Sequence, residues 1–279
     1  MNTLNLVYPD KSDVKFTTMI FPDGQPHIKI DVESLKSLSR TEPVRIFTRM
    51  SVSNDLLLAL FANNTLAYQG FERIELHITY LMAARMDRVM LAGEPFSLKV
   101  IAGILNQSGF SRINIFDPHS EVSTALIDRS YTVTNHEYVK DCLAHYFKTN
   151  DKSPYCLVSP DAGALKKIHK LAQFLGVEEV VECMKERDLK TGSLTKFSTA
   201  TESLTGYTCF IVDDICDGGG TFIGTAEMLK QKGAEKVVLV VSHGIFSKGT
   251  SLTNVDLIYT TDSYRHVEGA NQLLIDNYL

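Results

Sequence analysis

The stretch Cys209–Thr221 reads CFIVDDICDGGGT and joins an apolar run to two acidic residues and a glycine loop. Its first four residues are all apolar, which is typical of a strand buried on both faces of a parallel sheet. After the loop, Phe222, Ala226 and Leu229 recur at helical spacing, and Gly233 ends the expected helix. The stretch therefore predicts a strand, a tight turn and a helix, which are the parts of an α/β unit.

The turn after this strand carries residues suited to a phosphorylated ligand. Glycine lets the backbone approach a ligand closely and adopt positive φ, and the N–H groups at a helix N-terminus attract anions. The carboxylates of Asp213 and Asp214 suit ribose hydroxyls, or a metal ion that accompanies a phosphate. A tight turn with two solvated aspartates is the alternative, but an acidic pair at the end of a strand favours a sugar-phosphate site.

The composition is that of a globular α/β protein. The 279 residues suit two domains or one large one, and 44% hydrophobic and 22% charged residues predict a sizeable core. A net charge of −5 without a basic stripe argues against a nucleic-acid partner, and no apolar run is long enough to span a membrane. The N-terminus lacks signal-peptide features, and five cysteines without zinc spacing fit reduced thiols, so we expect a cytoplasmic protein.

Strand-like and helical stretches alternate in both halves of the chain, which predicts two tandem α/β domains with mainly parallel sheets. A polar stretch at Thr149–Ser153 is the expected boundary, so the domains are predicted as residues 1–149 and 150–279. The last residues, Glu268–Leu279, are predicted to form a terminal helix that packs back on the first domain.

Charged residues follow two predicted strands of the first domain. Arg85, Asp87 and Arg88 come directly after the strand Arg73–Tyr80, and His119 follows the next strand. Open α/β sheets bind ligands at the carboxyl ends of their strands. A surface charge cluster and a solvated histidine are the alternatives.

Two segments are predicted to protrude from the domains. The turn Phe21–Gly24 lies between two strand-like runs and predicts a hairpin over Phe16–Ile30, with a plain surface turn as the alternative. The segment Asp188–Thr205 follows Lys185 and Arg187, and is rich in Gly, Ser, Thr and Lys. It is predicted to be a long mobile loop, and loops of this length are often functional lids.

Together these clusters resemble the ribose-phosphate pyrophosphokinase family, whose two doubly wound domains have a type I phosphoribosyltransferase-like fold. The resemblance rests on pieces that follow the family's order over nearly the whole chain: FPDGQ (21–25), AARMDR (83–88), DPHS (117–120), VSPDAGALKK (158–167), KER (185–187), VDDICDGGGT (212–221) and SHGIFS (242–247). It implies that a pyrophosphoryl group passes from ATP to the anomeric hydroxyl of ribose 5-phosphate, giving phosphoribosyl pyrophosphate and AMP.

The same resemblance implies a role for each cluster. The residues expected to bind ATP lie on the hairpin or at strand ends of the first domain: Phe21, Asp23, Gln25, Arg85, Asp87, Arg88 and His119. The residues expected to bind the sugar phosphate lie in the second: Asp213, Asp214, Asp217, Gly218, Gly219, Gly220 and Thr221. The hairpin would reach the adenine site of a neighbouring subunit, so the resemblance implies a homo-oligomer built from dimers, up to a hexamer.

The resemblance also implies the catalytic groups and the cofactor. Lys185 and Arg187 would close over the transferred phosphoryl group and offset its growing charge. His119 and Asp161 would hold Mg²⁺, the cofactor that accompanies ATP.

The sequence departs from the family's pattern at three positions. Gln25 stands where the family has an acid, and Met86 where glutamine is usual. Gly218 stands where a hydroxyl residue is usual, which removes a hydrogen-bond donor beside the 5-phosphate. This last change motivates an alternative acceptor, a larger 5-substituted ribose such as ADP-ribose. A non-catalytic regulatory homologue and a phosphoribosyltransferase also remain as alternatives.

Overall fold

The computed structural model describes residues 2–150, 153–187 and 194–279, and leaves the side chains of 185–187 and 194–196 outside that description. The chain divides into two compact units, of which the first ends at Thr134 and also includes Leu279. The second runs from Asn135 to Tyr278. Both are α/β units with mainly parallel sheets, which confirms the predicted fold class.

The first unit consists of β1 (Asn2–Asn5), β2 (Phe16–Ile20), β3 (Pro26–Ile30), β4 (Val44–Met50), α1 (Ser53–Tyr68), β5 (Ile74–Leu81), α2 (Ser97–Gln107), β6 (Arg112–Phe116), α3 (Glu121–Leu126) and β7 (Ser130–Val133). Within residues 2–134, five strands form a parallel sheet in the order β1-β4-β5-β6-β7. Alternate strand residues such as Ile46, Leu76 and Ile113 are fully buried in the core that α1 and α2 cover.

The predicted hairpin is present, because β2 and β3 pair antiparallel. Its turn closes through two backbone bonds, in which Phe21 N donates to Gln25 O at 2.9 Å and Gly24 N donates to Phe21 O at 2.8 Å. Ile28 and Ile30 of β3 are buried in the core, and Phe16 at the start of β2 packs against it, whereas the rest of β2 is exposed. The hairpin is therefore anchored at its base and mainly through β3.

The second unit consists of α4 (His136–Thr149), β8 (Tyr155–Ser159), α5 (Leu165–Leu175), β9 (Val180–Arg187), β10 (Leu194–Thr199), β11 (Thr208–Cys216), α6 (Gly220–Gln231), β12 (Lys236–Gly244), β13 (Leu257–Thr261) and β14 (Asn271–Leu273). Within the described residues of this unit, seven strands form one sheet in the order β10-β9-β8-β11-β12-β13-β14. Every pair is parallel except β9–β10.

Strand β11 is buried on both faces, as its apolar run predicts. On one face Ile211 packs in the core with Phe222 and Ala226 of α6. On the other face the ring of Phe210 meets the ring of Tyr146 of α4 edge-on, with centroids 5.2 Å apart. Helices therefore cover both faces of the second sheet, which leaves the strand ends as the place for a ligand.

The division between the units lies at Thr134/Asn135, not at the predicted 149/150 boundary. Helix α4 causes the difference, because its apolar stripe packs on the second sheet and Tyr138 Oη donates to Val241 O at 3.1 Å. The polar stretch that suggested the boundary begins at the end of this helix.

The prediction of a long loop over Asp188–Thr205 is wrong for part of this segment, because residues Leu194–Thr199 form β10. Strand β10 pairs antiparallel with β9, with Phe197 opposite Lys185. Its Leu, Thr and Phe residues favour a strand, and its edge position requires little apolar character. Residues 188–193 of the predicted loop lie outside the described residues.

The predicted terminal helix is also wrong. Residues Asn271–Leu273 form β14 beside β13, and a short 3₁₀ turn follows at Ile275–Asn277. Asp262 Oδ1 fixes this turn by accepting a hydrogen bond from Ile275 N at 2.8 Å. Pairing with the sheet therefore overrides the helical spacing of the sequence. The last residue lies with the first unit, where Arg45 Nη1 donates to Leu279 O at 2.8 Å.

All five cysteines lie in described segments and are free and buried. The sulfur atoms of Cys156 and Cys209 approach each other to 3.6 Å on neighbouring strands. Among the described residues, no helix is long and apolar enough to cross a membrane.

Candidate active site

The strand order of the second unit fixes where its ligand crevice lies. From β8 the chain passes to β9 on one side, and it later returns to place β11 on the other side. A crevice opens at the carboxyl ends of strands where the order reverses in this way. Asp161 follows β8, and Asp213 and Asp214 lie near the end of β11. The sheet therefore brings three sequence-predicted carboxylates to one crevice.

The acidic pair belongs to β11 itself, because the strand continues to Cys216 and Asp213 lies in register with Val241 of β12. Asp213 Oδ1 accepts a hydrogen bond from Asp214 N at 2.9 Å, and Asp214 is 7% exposed. Burial holds the pKa of Asp213 well above its usual range, and the charges of Asp214 and Asp161 raise it further. These carboxyl groups would gain from hydroxyl donors or from a nearby cation.

Asp161 is held at the start of α5. Its Oδ1 atom accepts hydrogen bonds from Gly163 N at 2.8 Å and from Ala164 N at 3.0 Å. Ser159 Oγ also donates to the backbone oxygen of Asp161 at 2.8 Å. The carboxylate is therefore fixed in place at the crevice.

Of the two residues predicted to hold Mg²⁺, Asp161 offers a more suitable ligand atom than His119. Mg²⁺ usually takes one or two protein carboxylates together with substrate phosphates, and the fixed carboxylate of Asp161 matches that preference. His119 is exposed and offers a ring nitrogen, whereas Mg²⁺ prefers oxygen ligands. In the parts of the chain that the structure describes, no group of three or more His, Cys, Asp or Glu side chains forms a metal site.

The glycine loop contains one glycine that the backbone requires and one that it does not. Gly219 has φ +77°, and a Cβ atom there would lie 2.5 Å from Leu252 Cδ2. Gly218 lacks a positive φ, and a Cβ atom there would meet nothing closer than the Lys248 side chain at 3.7 Å. Helix α6 starts directly after Gly219, so the N–H groups of its first turn face the loop.

A second loop, Ile245–Leu252 after β12, is bound to the glycine loop. The N–H groups of Ile245 and Phe246 both donate to Cys216 O, at 2.9 and 3.0 Å. Ser247 Oγ donates to Asp217 Oδ1 at 2.5 Å. Because Leu252 also packs on Gly219, the two loops form one assembly.

The β9–β10 hairpin reaches the same helix. A Cβ atom at Gly224 of α6 would lie 2.1 Å from Phe197 Cε2, so the Phe197 ring packs directly on this glycine. The pairing of β9 with β10 places the backbone of Lys185 beside that contact. The side chains of Lys185 and Arg187 lie outside the described residues.

The predicted ATP-binding residues at the strand ends of the first unit are exposed except for Asp87, whose side chain is 11% exposed. Arg85, Asp87 and Arg88 follow β5 and His119 follows β6, so these neighbouring parallel strands bring them to the same edge of the sheet. Arg85, Arg88 and His119 are exposed. Asp87 Oδ1 lies 3.4 Å from Arg88 Nε.

The hairpin residues are exposed as well. Phe21 is 41% exposed, and its ring centroid lies 5.5 Å from that of His27. Asp23 accepts hydrogen bonds from the backbone N of Gln25 at 3.2 Å and from its Nε2 at 3.1 Å. Gln25 therefore orients Asp23 where an acid at that position would repel it.

The comparisons with known proteins point to one family. A phosphoribosyl transferase domain model matches residues 134–269. The chain is 30% identical to the ribose-phosphate pyrophosphokinase of Pyrococcus abyssi, over 82% of this chain and 76% of that protein. It is also 30% identical to the Corynebacterium efficiens protein of the same name, over 93% and 80% of the two chains. The chain belongs to the ribose-phosphate pyrophosphokinase family.

A solved structure supports the fold of this family member along its whole length. The phosphoribosylpyrophosphate synthetase of Mycobacterium smegmatis superposes with a TM-score of 0.79, covering 99% of this chain and 96% of that chain. The sequences are 20% identical in this superposition, so the likeness concerns the fold.

Sequence reasoning missed Lys248 and Leu252. The motif SHGIFS ends one residue before Lys248, and nothing in the spacing indicates that this lysine lies over Gly218. The glycine run gives no signal for Leu252, because only the structure shows which glycine has a positive φ and what packs on it.

Proposed function

We propose that this protein transfers a pyrophosphoryl group from ATP to the anomeric hydroxyl of ribose 5-phosphate, giving phosphoribosyl pyrophosphate and AMP. The observation that carries the proposal is the acidic pair and glycine loop at the strand-order reversal, in a chain of this family. The reaction needs positioning and charge neutralisation more than covalent catalysis.

The sugar would bind in the crevice of the second unit. Asp213 and Asp214 would accept hydrogen bonds from the ribose hydroxyls, which compensates for the burial that raises the pKa of Asp213. The 5-phosphate would lie against the N–H groups of Asp217–Thr221 and the first turn of α6. This geometry holds the anomeric hydroxyl at a fixed place.

The charged groups around ATP would lower the barrier. Lys185 and Arg187 would offset negative charge on the transferred group, because preorganised cations act most strongly where charge develops. Magnesium, held by the Asp161 carboxylate, would supply further charge neutralisation on the ATP phosphates. The assignment of His119 as a second ligand stays a prediction. Arg85 would stack on the adenine and Arg88 would bind the phosphates.

The ATP side would be completed by a second copy of the chain. Phe21 and Asp23 lie on an exposed hairpin, and an apolar tip of this kind suits a contact with a neighbouring subunit. The active form in this proposal is a homo-oligomer built from dimers. The use of ATP and the free buried thiols suit a cytoplasmic location.

One observation favours a second acceptor. Gly218 carries no side chain, and the group nearest to the place of its Cβ atom is the exposed side chain of Lys248, at 3.7 Å. A phosphate that carries a second substituent would fit beside this flexible side chain. ADP-ribose is an acceptor of that class, and the transfer chemistry would be the same.

The test is AMP release from ATP with ribose 5-phosphate, with ADP-ribose and with neither, followed by identification of the pyrophosphorylated product. Release that depends on ribose 5-phosphate, and stops in excess chelator, is the expected result. A strong preference for ADP-ribose would move the proposal to the larger acceptor. No AMP with either sugar contradicts the transfer, and pyrophosphate formation from phosphoribosyl pyrophosphate and a base would indicate a phosphoribosyltransferase.

A single substitution distinguishes the two acceptors structurally. Gly218→Thr restores a hydroxyl without backbone strain, because Gly218 lacks a positive φ. If the open loop admits the larger sugar, this variant shifts kcat/KM toward ribose 5-phosphate.

A further inference from the structure

The side chain of Lys248 lies in contact with the place that a side chain at position 218 would take. Its Cδ and Cε atoms are both 3.7 Å from the place of a Cβ atom on Gly218, which is ordinary van der Waals contact. Ser247 Oγ is the next neighbour, at 4.0 Å. The lysine stem therefore lies beside the glycine loop, and its ammonium nitrogen is bonded directly to one of the two contacting carbons, Cε.

The loop that carries Lys248 is held on both sides of it. On one side Ser247 Oγ donates to Asp217 Oδ1, and on the other Leu252 packs on Gly219. Arg265 Nη2 also donates to the backbone oxygens of Ile245 and Phe246. A lysine fixed at its backbone in this way loses less conformational entropy on binding than one on a loose loop.

The ammonium group of Lys248 is available for an anion. Lys248 is exposed, and within the described residues it takes part in no ion pair or hydrogen bond through its side chain. Asp217, the acid of the glycine loop, accepts a hydrogen bond from Ser247 Oγ. The ammonium group of Lys248 is therefore not paired with a carboxylate among the described residues.

We propose that Lys248 binds the phosphate group on the 5-position of the acceptor and so replaces the hydroxyl donor that Gly218 lacks. This inference rests on the proposed function. Its chemistry is that of a point charge on a phosphate oxygen, which a lysine supplies without the fixed geometry of a hydroxyl. The phosphate can be the monoester of ribose 5-phosphate or the 5-linked diphosphate of ADP-ribose.

The variants separate the charge of Lys248 from its stem. Lys248→Met keeps a stem of similar length beside Gly218 and removes the ammonium, while Lys248→Arg keeps the charge. Lys236→Met is the matched control, because Lys236 is exposed at the opposite end of β12, a strand that spans about 26 Å. Both positions are exposed, and thermal unfolding of each variant checks that it folds.

The measurements are the KM values for ribose 5-phosphate, ADP-ribose and ATP, together with the Kd of inorganic phosphate by calorimetry. We expect Lys248→Met to raise the acceptor KM and the phosphate Kd about tenfold, the scale of one charge-assisted hydrogen bond. The KM for ATP should stay unchanged, and Lys248→Arg should recover most of the loss. The sugar whose KM rises identifies the source of the phosphate.

A double substitution tests the replacement directly. In Gly218→Thr/Lys248→Met the new hydroxyl should recover part of the acceptor binding that Lys248→Met loses. If Lys248→Met behaves like Lys236→Met in phosphate Kd and in both acceptor KM values, Lys248 is a solvated surface lysine and the inference fails. If the wild type releases no AMP with either sugar, yet Lys248→Met weakens phosphate binding, the proposed function fails while Lys248 stands as a phosphate ligand.

Discussion

The two units use parallel sheets in different ways. In the second unit the strand order reverses between β8 and β11, and the acids and the glycine loop meet at that reversal. In the first unit the strands β1-β4-β5-β6-β7 follow one another in chain order, so the sheet has no such reversal within residues 2–134. A crevice forms where the connections on either side of two strands diverge. The candidate site of the second unit therefore lies in that unit's own crevice. The candidate residues of the first unit instead follow the carboxyl ends of its strands, where the described strands of that unit form no crevice of this kind.

The surroundings of the candidate residues follow this difference. The glycine loop of the second unit is held by a second loop and by the packing of Leu252 on Gly219. In the first unit, Met19, Ile20 and Phe21 of the hairpin are 52%, 57% and 41% exposed. An apolar tip of this kind gains from a covering surface, so we expect the ATP side to depend on assembly and the sugar side not to.

The largest expected effect is that of the cation on β9. Lys185→Ala should lower kcat about 100- to 1,000-fold, the scale of one preorganised charge contact, and leave the KM for ATP much less changed. Lys170→Ala, on an exposed part of α5, is the matched control. Steady-state AMP release measures both, and near-normal turnover of Lys185→Ala would remove the catalytic role from this residue.

The next effect contrasts two adjacent glycines of the sugar side. Gly219→Ala forces a Cβ atom to within 2.5 Å of Leu252 Cδ2 in a positive-φ conformation. It should cost about 1–2 kcal/mol of stability and displace the second loop from the phosphate site. Gly218→Ala meets nothing closer than 3.7 Å and should be nearly neutral for stability.

Chemical unfolding and acceptor KM, measured on both glycine variants, check this contrast. Equal losses at positions 218 and 219 would mean that the loop is not locked by Leu252.

The sequence predicted the parts of the sugar site that depend on local pattern. The apolar run before Asp213 identified β11, and the glycine run identified the turn into α6, because both signals lie within one strand–turn–helix unit. The contact between Lys248 and Gly218 could not be predicted. It depends on how the loop after β12 folds over the loop after β11, which is a tertiary property.

The errors in the fold have the same origin. The predicted boundary places residues 135–149 in the first domain because a polar stretch follows them, yet Tyr138 and Tyr146 of α4 are buried and pack on the second sheet. The expected terminal helix instead pairs as β14 with β13. In each case a contact distant in sequence decides the outcome over local propensity.

The third effect tests the dependence of the ATP side on assembly. Phe21→Ala should raise the KM for ATP about tenfold and weaken self-association, because the hairpin loses its apolar tip. The KM for the acceptor should stay the same. Sedimentation measured at the assay concentration, together with the two KM values, checks this. A fully active monomer, in the wild type or the variant, would remove the assigned roles of Phe21 and Asp23.

The smallest effect concerns His77, the titratable group of the first unit whose pKa is most clearly shifted. Its Nε2 atom lies 2.9 Å from Asn114 Nδ2, and its buried Nδ1 atom has no hydrogen-bond partner among the residues that the structure describes. Burial first, and then the charges of Arg45 and Arg112, lower the pKa of His77 to about 3. The Glu75 carboxylate, 3.6 Å from Nε2, favours the charged ring but is outweighed.

The lowered pKa of His77 makes the stability of the first unit depend on pH. Below about pH 6.5 the histidine binds a proton in the unfolded chain but stays neutral in the folded chain, so acid favours unfolding. The free energy of unfolding should therefore fall by about 1 kcal/mol from this group alone between pH 7 and pH 5.5. His77→Gln does not titrate, so its decline over that range should be smaller by this amount. Urea unfolding of both proteins at the two pH values measures the difference. Parallel declines would show that folded His77 is already charged at pH 5.5.

His77 lies in the middle of β5, away from the carboxyl edge, so the variant should leave the KM for ATP unchanged. The shifted group of the first unit would then be structural, whereas that of the second, Asp213, lies at the candidate site.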